Sequence, residues 1–190
     1  MNYNEYKKII EGTPATEGIE YNLAVVWLHP EQLPLKVVSL NGCADKIVRI
    51  PDKTVNRYGR SVPVISLGKD VFRGNTTVTD IILGAGIETI DAEAFSGCAA
   101  LERITIPKRV THIKKGTFAG CMVLKDIYYE GTSEEWEQIT IDDKERVTEF
   151  GALTAGTPVQ EVVSDRLVHI PGNEALRNAD IHFRCDLNRK

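Results

Sequence analysis

No Cys-x-x-Cys occurs in this chain, although four cysteines do: Cys43, Cys98, Cys121 and Cys185. The spacing of a structural zinc site or a dithiol redox centre is therefore missing. The histidines His29, His112, His169 and His182 are scattered, and no two stand at zinc-ligand spacing. The glycine-containing stretch from Gly151 to Pro158 lacks the Gly-Lys-Ser/Thr of a phosphate loop. No serine sits in a nucleophile elbow. These motifs imply no catalytic residue, no metal and no cofactor, and the chain reads as a non-enzyme.

Charge of one sign is also lacking. Lys and Arg total 23 against 27 Asp and Glu, for a net charge of -4 with the signs interspersed. That balance argues against a nucleic-acid partner, which calls for a basic excess. No apolar run approaches a membrane span, so no membrane insertion is expected. The start, Met1 to Ile10, has too short an apolar stretch for a signal peptide, and no cleavage pattern follows. Two addresses stay open: the cytoplasm if Met1 is the native start, the cell surface or exterior if a leader was removed. A length of 190 residues with 42% hydrophobic content suits one domain with a buried core.

What the chain has is a period. Phe72, Phe95 and Phe118 stand 23 residues apart, and other columns keep the same step. They are Val64, Ile87 and Val110; Leu67, Ile90 and Ile113; and Gly74, Gly97 and Gly120. Val78, Leu101 and Leu124, then Ile81, Ile104 and Ile127, then Leu83, Ile106 and Tyr129 complete the register without an insertion. A fixed period of this size marks a solenoid, each repeat one coil stacked on the last. Ile104 and Ile106 have the period-two spacing of a half-buried strand. Stacked coils put Ile81, Ile104 and Ile127 in parallel ladders about 4.8 Å apart. No coil buries its own apolar face, so neighbours supply the cover. The glycine after each Phe is expected to take a backbone angle denied to residues with a Cβ.

The run Phe95-Ser96-Gly97-Cys98-Ala99-Ala100-Leu101-Glu102-Arg103-Ile104-Thr105-Ile106-Pro107, followed by Val110 and Ile113, resembles the BspA-type leucine-rich repeat. Phe118-Ala119-Gly120-Cys121 through Leu124 to Ile127 repeats it, whereas Phe72-Arg73-Gly74-Asn75 carries Asn in the Cys column. The resemblance is strong over residues 62–141. Ile127 to Thr132 with Trp136, and Gly172 to Leu176 leading into Ala179 to Phe183, are similar to the way such arrays close. It implies a bacterial binding or adhesion module. The fold expected is mostly β with short helical turns: a short right-handed leucine-rich-repeat solenoid with a parallel β-ladder, capped at both ends.

Three segments follow: an N-terminal cap over 1–61, three 23-residue repeats over 62–131, and a C-terminal cap over 132–190. In the first, residues 3–10 suit a short helix, and the strand Tyr21 to Trp27 pairs with Leu35 to Leu40 around a turn at His29 to Pro34. Val48 to Pro51 mimics the strand end of a repeat, and Asp52 to Ser61 reads as a loop. In the last, Thr132-Ser133-Glu134-Glu135 is a capping box that starts a helix carrying Trp136. The insertion 142–171 is expected to hold a hairpin, Val159 to Val163 against Leu167 to Ile170 through Ser164-Asp165-Arg166. It serves as a recognition element or as a lid on the last coil, the lid being favoured.

Cys98 and Cys121 share a column, close enough for a disulfide. In-register side chains point the same way, which favours buried free thiols instead. Asn75-Thr76-Thr77 fits a glycosylation sequon that nothing else in the chain supports. Asp91 and Lys114, one period apart, read as a structural ion pair.

Between the buried strand residues, Asp80 and Ile82, Arg103 and Thr105, and Asp126 and Tyr128 are expected to face outward. Ile82, Thr105 and Tyr128 would form an apolar and aromatic stripe suited to a partner, another protein or a surface glycan. Asp80, Arg103 and Asp126 alternate in charge. Such a ladder holds stacked coils in register by about 0.2–1 kcal/mol per pair, and that structural role outweighs recognition. The alternative function is structural, with oligomers assembled through the caps or the 142–171 insertion.

Overall fold

The computed structural model describes residues 14–24, 34–40, 45–142, 144–149, 164–169 and 172–184. Along the chain come β1 (Ile19–Leu23), β2 (Leu35–Leu40), β3 (Ile47–Arg49), β4 (Lys53–Val55) and β5 (Ser61–Leu67). The repeats supply β6 (Asp80–Ile82), β7 (Thr89–Ile90), β8 (Arg103–Ile106), β9 (His112–Ile113) and β10 (Asp126–Tyr129). The end of the chain adds α1 (Ser133–Glu137), β11 (Thr140–Ile141), β12 (Lys144–Glu149), β13 (Ser164–His169), α2 (Glu174–Asn178) and β14 (Asp180–Phe183).

Each coil contributes one strand to each of two sheets. In the five-stranded sheet β14, β10, β8, β6 and β3 lie side by side, all parallel. Ile81 pairs with Ile104 and Ile104 with Ile127, one period apart, as the repeat demands. Val48 and Ile181 extend the same ladder from outside the three repeats. The ladder is therefore deeper than the repeat count, because each cap donates a strand to it. The second sheet runs β1, β2, β5, β7, β9, β11, with β1 and β2 antiparallel.

Val64, Leu67, Ile87, Ile90, Leu101, Ile104, Ile106 and Ile113 are buried between the two sheets. The Phe95 ring, fully buried, lies 5.2 Å from both the Phe72 and Phe118 rings. Removing such a ring costs about 3–5 kcal/mol, so the aromatic column is a main tie between coils. The turn after each Phe needs left-handed backbone: Gly74, Gly97 and Gly120 have φ of 69°, 74° and 72°.

The caps hold the array at both ends. Thr132 closes the predicted capping box: its hydroxyl accepts from the Glu135 N–H at 3.2 Å, and its N–H donates to Glu135 Oε2 at 2.9 Å. The helix brings Trp136 edge-on to Tyr129, 5.1 Å between centroids, and Phe183 meets the same ring at 6.2 Å. Gly172 passes so close to the array that a Cβ there would lie 2.6 Å from Gly116 Cα.

Two expectations are corrected. Asp52 to Ser61 is not a plain loop, because β4 and β5 form an antiparallel hairpin across it. Ser164 to Arg166 is strand, not turn: β13 pairs antiparallel with β12, so Leu167 lies opposite Arg146. Val159 to Val163, residues 3–10 and, within the first expected hairpin, His29 to Leu33 lie outside the described residues.

Candidate binding surface

The outer side of the five-stranded sheet carries the six predicted partner residues in two adjoining columns. Asp80, Arg103, Asp126 and Asp180 are in register, as are Ile82, Thr105, Tyr128 and His182. The structure thus brings the candidates together on one face. It also corrects the expectation that they are exposed. Asp80 and Ile82 are each 3% exposed, and Thr105 and Tyr128 are at 0%. A parallel sheet is normally covered on both sides, and here Ile82, Thr105 and Tyr128 are as inaccessible as the inner column. Arg103 and Asp126 alone of the six keep partial exposure.

The charges on this face answer one another. Arg103 donates to Asp80 through Nε at 2.5 Å and Nη2 at 2.9 Å, a two-pronged contact between adjacent coils. Thr79 Oγ1 adds a third donor to Asp80 at 2.7 Å. Asp126 pairs with His182 Nε2 at 2.8 Å, and the His182 ring stacks on Tyr128 at 4.8 Å between centroids. His182 comes from the closing strand, beyond the period, so column arithmetic did not reveal it. Thr105 Oγ1 is buried without a hydrogen-bond partner among the described residues.

Asp91 and Lys114 do pair, at 2.6 Å, and Lys36 of β2 joins them at 3.1 Å. Burial alone would raise the Asp91 carboxyl, but the hydrogen bonds and charges of Lys114 and Lys36 hold it below its ordinary value. Cys98 and Cys121 are free thiols. The neighbouring Cys121 thiol and burial push the Cys98 thiol up, which keeps it protonated. Glu130, at the corner after β10, is pushed up by burial, with Arg184 opposing and Asp52 reinforcing the shift.

A second surface, not foreseen from the repeat, lies at the front of the array. The β4–β5 hairpin turns through Asn56 to Arg60, where the Asn56 carbonyl accepts from the Gly59 N–H at 2.9 Å. Asn56 Oδ1 accepts from the N–H groups of Tyr58 and Arg60 at 3.0 and 3.1 Å. This side-chain turn holds Tyr58 out at 44% exposure beside Val55 at 67%. Arg57 lies over the Tyr58 ring, 4.9 Å from its centroid, and donates to Tyr58 Oη at 2.8 Å. Facing the hairpin tip are Tyr21 and Asn22 of β1 and Leu35 of β2, and the space between is a cavity of about 340 Å³. Burial raises the Tyr21 phenol, against a hydrogen bond from Thr54. The signal available in sequence was the run 53–69, which holds Lys53, Arg57, Arg60 and Lys69 and no Asp or Glu.

Among the described residues no group of His, Cys, Asp and Glu is arranged to hold a metal ion, and no helix is long and apolar enough to cross a membrane. Residues 60–150 match the family described as BspA type leucine rich repeat region, in 6 copies. Two solved bacterial structures share the fold. A T. pallidum leucine rich repeat protein is 22% identical with a TM-score of 0.50, covering 64% of this chain and 55% of its own. A Bacteroides ovatus leucine-rich repeat protein is 25% identical with a TM-score of 0.52, covering 68% of this chain and 37% of its own. The present chain thus spans about half or less of the length of those two proteins. No curated protein matches. Leucine-rich repeat proteins generally engage other proteins and are typically not enzymes. With its phenylalanine column, glycine turns and paired parallel ladders, the array over residues 60–150 is a BspA-type leucine-rich repeat region.

Proposed function

We propose that the chain is a non-catalytic module that binds another macromolecule, a protein or a surface glycan, by complementarity to a rigid stack of coils. Adhesion or host contact is the role this reading gives it. The observation that carries it is the front surface: exposed Val55 and Tyr58 beside Arg57, around an open cavity. Exposed aromatic and arginine side chains are the residue types that anchor interfaces. The strand face keeps a share in the contact through Arg103 and Asp126, which reach solvent at its margin.

Capture from the native source tests this with two variants, Val55→Glu with Tyr58→Ala, and Arg103→Gln with Asp126→Asn, each first shown by circular dichroism to keep the fold. A partner lost by the first variant supports the front surface. One lost by the second alone moves the contact to the strand margin. A partner kept by both overturns the reading.

A second reading, assembly into oligomers, is favoured by one observation. Strand β14 closes the five-stranded sheet, and among the described residues no strand pairs with its outer edge. Such an edge accepts a strand from another chain. A solution mass at a multiple of 21.1 kDa supports that reading.

A further inference from the structure

We propose that the cavity between β1, β2 and the β4–β5 hairpin is a binding site for an acidic sugar, a pyranose ring bearing one carboxylate. The proposal rests on the front surface being a contact surface and names its ligand chemistry.

Size comes first. A volume of about 340 Å³ sits at the small end of ligand pockets, which run from about 300 to 1,000 Å³. It accommodates one ring-sized group rather than a run of peptide side chains. Two of its residues are tyrosines, Tyr21 on one side and Tyr58 on the other, with Leu35 and Val55 adding apolar surface. Aromatic rings with a polar tip suit a ligand that has apolar ring faces and hydroxyls around its edge. Asn22 adds an amide to the lining, and Asn56 fixes the turn that presents Arg57 and Tyr58.

Charge decides the rest. Arg57 carries five N–H donors, and its only partner among the described residues is the Tyr58 ring and hydroxyl. No Asp or Glu pairs with it among the described residues, and none occurs in residues 53–69. In a chain of net charge -4 this is a local basic segment. A guanidinium recognises a carboxylate with two parallel hydrogen bonds. Among the described residues one cation, Arg57, lies in the cavity lining and matches one negative charge, which favours a sugar carboxylate over a doubly charged phosphate. Stacking on Tyr58 holds the guanidinium in place before the ligand arrives, so less order is lost on binding.

The test uses the full chain, with amide NMR titration and calorimetry. The probes are methyl β-glucuronide, its neutral counterpart methyl β-glucoside, and a galacturonate tetramer. The glucuronide is expected to bind in the millimolar range and at least about tenfold more tightly than the glucoside. Shifts should centre on Asn56 to Arg60. Arg57→Gln should abolish the preference for the acid, and Tyr58→Ala should weaken both monosaccharides. Both side chains are exposed, so neither change should disturb folding. A tetramer bound more tightly than the monomer assigns the site to a polysaccharide, and equal binding to a single sugar acid.

Equal affinity for glucuronide and glucoside, shifts confined to another surface, or no binding at about 20 mM overturns the proposal. If the sugar fails while Val55→Glu with Tyr58→Ala still loses its macromolecular partner, only the ligand class falls. If the sugar binds and partner capture ignores those substitutions, the macromolecular reading falls and the pocket stands.

Discussion

The Phe118 N–H donates to Asn173 Oδ1 at 3.2 Å, where earlier coils use a backbone carbonyl. Phe72 N–H donates to the Ala94 carbonyl at 2.8 Å and Phe95 N–H to Thr117 at 2.9 Å. The last coil has no successor, and the side chain of Asn173 imitates one. Its amide nitrogen also donates to the carbonyls of Lys114 and Asp142 at 3.3 and 3.1 Å. Asn173 is 3% exposed, so Asn173→Ala leaves buried backbone groups without their partner. The expected loss is about 2–3 kcal/mol in urea unfolding. Asn173→Asp, which keeps the acceptor and loses the donors, should also destabilise.

The cysteine column ties coils together in a similar way. The thiol of Cys98 donates to the Phe72 carbonyl at 3.1 Å, and that of Cys121 to Phe95 at 3.2 Å. Both are nearly inaccessible. Thiol reagents should leave these two unlabelled in the folded protein and label them on denaturation, read by peptide mass spectrometry. Cys98→Ala should cost about 1–3 kcal/mol through a small cavity and one lost hydrogen bond, the Phe72 carbonyl keeping the Asn75 N–H.

The repeat made the interior legible and left the exterior obscure, for a physical reason. Period and alternation state which residues share a side of a strand, so the pairing of Ile81, Ile104 and Ile127 followed from spacing alone. Alternation does not say what lies over the second side, and that is how Tyr128 was misread as exposed. Lys36 joins the ion pair of Asp91, and His182 hydrogen-bonds to Asp126, both from outside the three repeats. A 23-residue step never reaches them. In the insertion, Ser164-Asp165-Arg166 has the composition of a turn and Lys144 to Glu149 that of a polar surface, yet these two segments pair as strands. Local composition there was overridden by a long-range pairing.

Burial of the outer column reverses an expectation drawn from alternation. Had Tyr128 and Ile82 been exposed, replacing them would leave the fold unharmed. Their exposures of 0% and 3% instead predict a loss of about 3–5 kcal/mol for Tyr128→Ala. Ile82→Glu, which buries a charge without a designed partner, should cost at least as much. An unchanged thermal midpoint for both would mean that the face is open in solution.

Thr105 supplies the opposite sign on the same face. Its hydroxyl is buried and unpartnered among the described residues, a standing cost of about 1–3 kcal/mol. Thr105→Val keeps the shape and removes the polar atom. It is expected to raise the urea midpoint, whereas Thr105→Ser keeps the polar atom, loses a methyl group and should lower it.

Asp91 gives the acid side of the stability profile its shape. Its folded pKa is below its unfolded one, so its contribution is present above the unfolded value, about 3.9, and disappears as pH falls through the folded value. Lys114 and Lys36 are partly exposed, so solvent screening holds the contribution below about 1 kcal/mol. Asp91→Asn should therefore be slightly less stable than wild type at neutral pH. The gap should narrow progressively below about pH 4 and shrink with added salt. A gap that stays constant from neutral to strongly acidic pH would assign the effect to packing instead of charge.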